Sequence, residues 1–175
     1  MTINIKHLTT CLTLVLVVLL FPFAVRNQTR PLTYKNRDYA LDLPSAKWRA
    51  ITVSGVAHDS TEFRYGERSP IHLRIRRELV DANVSPADLV QRQQRLDRVF
   101  LRGYVKGKDG IFAGRLSGAK YPYEYIRTGK PMAGLIYYLE ADNRIIYRLE
   151  FTGSPDKLRN LSDQTEFIAR SFRLR

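Results

Sequence analysis

Hydrophobic and polar positions divide the chain into one long apolar run followed by short alternating segments. Residues 8–25 (LTTCLTLVLVVLLFPFAV) contain no charged side chain. As a helix rising ~1.5 Å per residue they reach ~27 Å, close to the ~30 Å hydrocarbon core of a bilayer. Lys6 and the amino terminus place positive charge ahead of the run. It leaves through Phe21, Pro22, Phe23, Ala24, Val25 and Arg26, which offer no small-x-small cleavage pattern. An uncleaved single-pass anchor is therefore expected, with a removed leader and a soluble periplasmic or secreted binding protein as the alternative. Cys11 precedes the apolar core, whereas a lipoprotein cysteine follows it, so Cys11 reads as a small hydrophobe.

Orientation draws on opposing signals. Lys6 stands before the run, and Arg26, Arg30, Lys35 and Arg37 follow it. The positive-inside rule would leave the domain in the cytoplasm. The signal-like layout, and a short charged tail that resists translocation, favour an extracytoplasmic C-terminal domain, periplasmic if the host is bacterial.

Residues 26–36 are polar, basic and broken by Pro31, and read as a tether; one domain is expected over residues 37–175. Alternation predicts strands at 38–43, 48–53, 61–65 and 71–79, the last with Ile71, Leu73 and Ile75 on one face and His72, Arg74 and Arg76 on the other. Ser85, Pro86 and Asp88 form a helix start. Leu89, Leu96, Val99 and Phe100 recur behind it at helical spacing, predicting the buried side. Strands follow at 103–106, 111–116, 121–127, 133–140 and 144–152, with Asp109-Gly110 and Asp142-Asn143 as hairpin signals and Gly129-Lys130-Pro131 as a turn. Ser154-Pro155 opens a second helix carrying Leu158, Leu161, Phe167 and Ile168, and residues 171–174 close as a strand. The order predicts an α+β domain in which two helices pack on an antiparallel meander.

Composition narrows the function. Among 175 residues, 29 are Lys or Arg and 17 Asp or Glu, a formal net charge of +12. A single Cys excludes an intrachain disulfide and a thiolate zinc cluster. Three His, at 7, 58 and 72, make no convincing metal or acid/base set. His58-Asp59-Ser60 has the residue types of a hydrolase triad, but neighbours in one turn do not orient a base between nucleophile and acid. Gly103, Gly107 and Gly110 lie between strands, not before a helix, so they read as turns and not as a phosphate loop. Glu140 and Glu150 on adjacent strands, near Arg144 and Arg148, read as partners in ion pairs. No catalytic residue, cofactor or metal site is expected.

The basic surface is the functional candidate. Arg74, Arg76 and Arg77 lie on or beside one strand, Lys106 and Lys108 at a turn, and Lys120, Arg127 and Lys130 flank a tyrosine-rich strand. Attraction to anionic lipid headgroups or another polyanion is the corresponding role; each such residue near an anionic bilayer contributes about 1 kcal/mol. Tyr121, Tyr123 and Tyr125 share one strand face. Packing is expected of them, and base stacking in a cytoplasm-facing nucleic-acid-binding domain is the alternative. Tyr137 and Tyr147 are expected in the core.

The run from Gly134 through Tyr137, Tyr138 and Glu140 to Tyr147, Glu150, Phe151 and Gly153, then a helix ending at Ser171 and Phe172, resembles the PsbP/Mog1/DcrB-like α/β sandwich superfamily. The opening from Tyr39 to Pro44, followed by Trp48, is similar to the start common there. The resemblance implies that fold and largely non-enzymatic work: accessory subunits of photosynthetic complexes, partners of a small nuclear-transport GTPase, and exported envelope proteins. A membrane-anchored basic chain fits the envelope type, with a protein partner in a membrane complex.

Overall fold

The computed structural model describes residues 31–51, 60–67 and 71–175. The apolar run at 8–25, the start of the tether and His58-Asp59 lie outside them. Among the described residues no helix is long and apolar enough to cross a membrane.

The strands are β1 (Leu32–Lys35), β2 (Tyr39–Leu43), β3 (Trp48–Ile51), β4 (Ser60–Tyr65), β5 (His72–Leu79), β6 (Val105–Lys106), β7 (Gly110–Ala113), β8 (Ser117–Arg127), β9 (Lys130–Asp142), β10 (Ile145–Gly153) and β11 (Arg173–Leu174). The helices are α1 (Pro86–Phe100), α2 (Pro155–Asn160) and α3 (Ser162–Ser171). The large antiparallel sheet has the order β3-β4-β5-β10-β9-β8-β6, with β7 also paired to β8. A small sheet, β1-β2-β11, is antiparallel as well.

Alternation sends one face of the large sheet into the main core. Phe63, Leu73, Ile75, Tyr137, Leu149 and Phe151 meet Leu41, Leu158, Ile168 and Phe172 there, beneath the small sheet and α2–α3. Tyr147 is buried in the same core, as its alternation phase requires. On the opposite face Ala119, Tyr121, Ile136, Tyr138 and Ile146 receive Leu89 and Val90 of α1. The sheet is thus sandwiched, and the antiparallel α+β reading holds.

Local chemistry explains the boundaries. Ser85 Oγ accepts from the Asp88 N–H at 3.3 Å, and the Asp88 carboxylate accepts from the Ser85 N–H at 2.9 Å, a reciprocal cap that starts α1. Thr128 and Gly129, with φ of 49° and 76°, join β8 to β9 in the two-residue turn whose twist suits a hairpin. Asp142 accepts from the Arg144 N–H at 2.7 Å and closes the β9–β10 hairpin.

Four expectations need correction. Leu32–Lys35, assigned to the tether, is strand β1, because its backbone pairs with β2 from Leu32↔Leu43 to Lys35↔Ala40. Asp109-Gly110 makes no hairpin: β6 and β7 both run along β8, and the extra residue between them is absorbed as a bulge-like break. The second helix is two, since the backbone leaves helical geometry at Leu161 (φ −104°, ψ 12°). Lastly, α1 buries Leu89, Val90 and Asp97, while Leu96, Val99 and Phe100 are exposed.

Candidate polar cleft beneath α1

The α1 face of the large sheet is less apolar than the core face. Register places Glu62, Arg74, Glu150 and Ile136 in one cross-strand row, with Arg64, His72, Thr152 and Gly134 in the next. The C-terminal half of α1 overlies only part of this surface. Between them lies a cleft of about 540 Å³ whose lining includes Glu62, His72, Arg74, Asp97, Arg127 and Glu150.

Its charged groups are mostly engaged with one another. Arg148 donates from Nη2 to Glu150 at 3.1 Å and from Nη1 to Gln93 at 3.1 Å, with Glu78 4.0 Å away and the Tyr138 ring beneath. Burial by itself disfavours the Arg148 charge, but Glu150, Tyr138 and Glu78 outweigh it, and the guanidinium holds its proton more tightly than usual. Gln93 donates onward to Asp97 at 2.8 Å. The Tyr121 hydroxyl donates to the other Asp97 oxygen at 2.9 Å and lies 2.9 Å from the Tyr104 hydroxyl. Burial, reinforced by Tyr104 and Asp97, pushes the Tyr121 phenol far above its ordinary value, so it stays protonated and serves as a donor.

Tyr123 crosses the sheet to donate to Glu150 at 3.1 Å. Its ring lies over Gly134, where any Cβ would collide with it. Burial also raises the Glu78 carboxyl above its ordinary value. His72 is held below its ordinary value by burial first and Arg64 next, which keeps it neutral at neutral pH. The arrangement has hydrogen-bonding and charge-pairing capacity, with its buried acids occupied by Arg148, Gln93 and tyrosine hydroxyls. Among the described residues no group of three His, Cys, Asp or Glu is placed to hold a metal ion.

The basic residues singled out from the sequence do not form one patch. Arg74 and Arg127 line the cleft, Arg74 being paired with Glu62 at 2.6 Å. Arg76 is on the same sheet face, whereas Arg77 follows the opposite alternation. Lys106, Lys108 and Lys120 gather elsewhere, around a groove of about 490 Å³ between β6–β8 and α2. There Lys106 pairs with Asp109 at 3.2 Å and Lys120 approaches Glu166 at 3.9 Å. Lys130 sits opposite Arg127 at the β8–β9 turn.

Tyr121, Tyr123 and Tyr125 form a stacked ladder with centroids 5.1 and 5.8 Å apart. The first two are buried, which makes them packing residues. Glu150 is an ion-pair partner as expected, of Arg148, while Glu140 is exposed and lies four register steps away on the same face. The cleft itself was not read from the sequence. Its signal was present in polar positions on the central strands β5 and β10, at His72, Arg74, Arg148 and Glu150.

No protein-family model matches the chain, and no curated relative does. Solved structures do. Cyanobacterial PsbP (CyanoP) of Synechocystis sp. PCC 6803 superposes with a TM-score of 0.62 at 13% identity, covering 89% of this chain and 99% of that one. LpqN, described as involved in cell envelope biogenesis of Mycobacterium tuberculosis, gives 0.59 at 16% identity over 82% of this chain and 88% of its own. The Saccharomyces cerevisiae Ran-binding protein Mog1p gives 0.59 at 6% identity over 82% and 95%. The chain has the PsbP/Mog1-like α/β sandwich fold.

Proposed function

We propose that this chain is a non-catalytic accessory or binding domain, held at a membrane by residues 8–25, that docks on a membrane protein complex or an anionic surface. The carrying observation is the state of its charges. The cleft's buried acids are tied to Arg148, Gln93 and tyrosine hydroxyls, so none is left as a free base beside a nucleophile. Exposed Arg76, Arg77, Lys108, Arg127 and Lys130 have no carboxylate within ion-pair distance among the described residues. The neighbours of the same fold support work through partners: one is a PsbP, one is Ran-binding, and one is involved in envelope biogenesis.

In this reading the domain is extracytoplasmic and the anchor localises it. Charge then steers encounters, an effect that weakens with salt. Burial of Tyr121 and Tyr123 removes two of the three rings a nucleic-acid platform would use. The test is a photo-crosslinking residue at position 108 or 127 in native membranes, with a topology reporter fused after Arg175. The reading expects an extracytoplasmic reporter and a discrete membrane-protein or lipid adduct that fades with salt. A cytoplasmic reporter together with RNA adducts would replace it.

A further inference from the structure

Residues 85–102 divide their side chains in an unusual way. The sheet-facing side carries Leu89 and Val90, then the polar Gln93 and Asp97 that complete the cleft network. The apolar residues of the last turns are turned away: Leu96 is 44%, Val99 74% and Phe100 76% exposed. Spaced three and four apart, they form one cluster on the helix surface. Arg92, Arg95, Arg98 and Arg102 surround it, all exposed. Among the described residues none of the four lies within ion-pair distance of a carboxylate. An apolar cluster ringed by uncompensated guanidiniums is the pattern of an interfacial helix, which seats apolar side chains at the acyl boundary and its cations among headgroups.

We infer that the C-terminal half of α1, through Leu96, Val99 and Phe100 with Arg92, Arg95, Arg98 and Arg102, is a docking surface for an anionic lipid bilayer. The inference rests on the anchored reading for the nearness of the membrane and deepens it by naming the face that meets the lipid. Tyr34 of β1 packs on Phe63 at the core face, and α1 covers the opposite face of the same sheet, so the exposed apolar cluster and its uncompensated arginines, and not the point of chain entry, single out this face. Acidic protein surfaces also attract arginine, but Leu, Val and Phe exposed together have a counterpart in the acyl boundary of a bilayer.

The test uses the full chain in proteoliposomes, with Cys11→Ser as background and an environment-sensitive fluorophore on V99C or, as a control on α2, K157C. Vesicles contain phosphatidylcholine alone or with phosphatidylglycerol, plus a lipid bearing a shallow quencher. The label at 99 is expected to shift blue and be quenched in anionic vesicles, and to recover with salt; the label at 157 should do neither. Each of R95Q, R98Q and R102Q should lower the docked-to-undocked ratio about fivefold, the value of one cation at an anionic surface. Equal quenching at 99 and 157, or quenching at 99 that ignores lipid charge, overturns the inference while leaving the anchor intact. Failure of the chain to stay with the vesicles after alkaline washing instead overturns the anchored reading. In that case, salt-sensitive quenching at 99 on adding the chain to anionic vesicles still supports the surface, and its absence rejects it.

Discussion

Arg148→Met isolates what the buried network contributes. The Arg148 side chain is 14% exposed and its partner Glu150 17%. Methionine keeps most of the bulk over Tyr138 but removes the guanidinium. Glu150 then loses a 3.1 Å ion pair, Gln93 loses a donor and Glu78 loses its nearest cation. Breaking one side of a buried pair costs roughly 3–5 kcal/mol. Residual solvent access and the Tyr123 hydroxyl that still serves Glu150 reduce this to about 2–3 kcal/mol. Urea unfolding in detergent, followed by the buried and unique Trp48, would read the change as a midpoint about 1–2 M lower. The pH dependence carries a definite sign. Burial already raises Glu78 above its ordinary 4.5, so its ionisation costs stability as pH climbs past that value. Without Arg148, whose charge lowers it, Glu78 is raised further. The deficit of the variant should be full at neutral pH and shrink as the pH falls toward 4.5 and the Glu78 carboxyl takes up a proton. R148M/E150Q should recover part of the loss, since one unpaired charge is gone. A deficit under about 0.5 kcal/mol at neutral pH, or one that does not change with pH, would refute the reasoning.

Three further substitutions probe separate elements. Gly134→Ala puts a methyl group where the Tyr123 ring lies and should cost about 2–3 kcal/mol in the same unfolding assay. Asp42→Asn breaks the 3.1 Å pair with Arg173 that ties β2 to β11, and should cost about 1 kcal/mol. For Asp42, burial raises the carboxyl but hydrogen bonds from Arg173 and Thr33 outweigh it and hold the value below 3.8. Its contribution is therefore full above that pH and lost as pH falls through the folded value, so wild type and D42N should converge in acid. Thr128→Asn relieves a β-branched residue held at φ 49° and should stabilise by about 1 kcal/mol, visible as a higher Tm.

The strands were legible where one face is buried, as in β5, where Ile71, Leu73 and Ile75 alternate with polar neighbours. The α1 start was legible from Ser85, Pro86 and Asp88, because a cap is local chemistry. The buried face of α1 was not. Apolar spacing pointed to Leu96, Val99 and Phe100, but the sheet beneath is polar at Arg148 and Tyr121 and selects Gln93 and Asp97 instead. Asp109-Gly110 misled because a turn dipeptide does not say which strand pairs next; Gly110 has no positive φ and enters β7 beside β8. The cleft escaped notice because its members come from five elements distant in the chain. Each looked like an outward residue, and only register and the placement of α1 bring them together.

The central claim is attachment: the domain works where residues 8–25 hold it. Alkaline carbonate extraction of membranes from cells producing the full chain, with amino-terminal sequencing of the product, tests this directly. The account predicts a membrane pellet containing a polypeptide that retains residues 8–25. A polypeptide released to the supernatant and beginning beyond Val25 would contradict it.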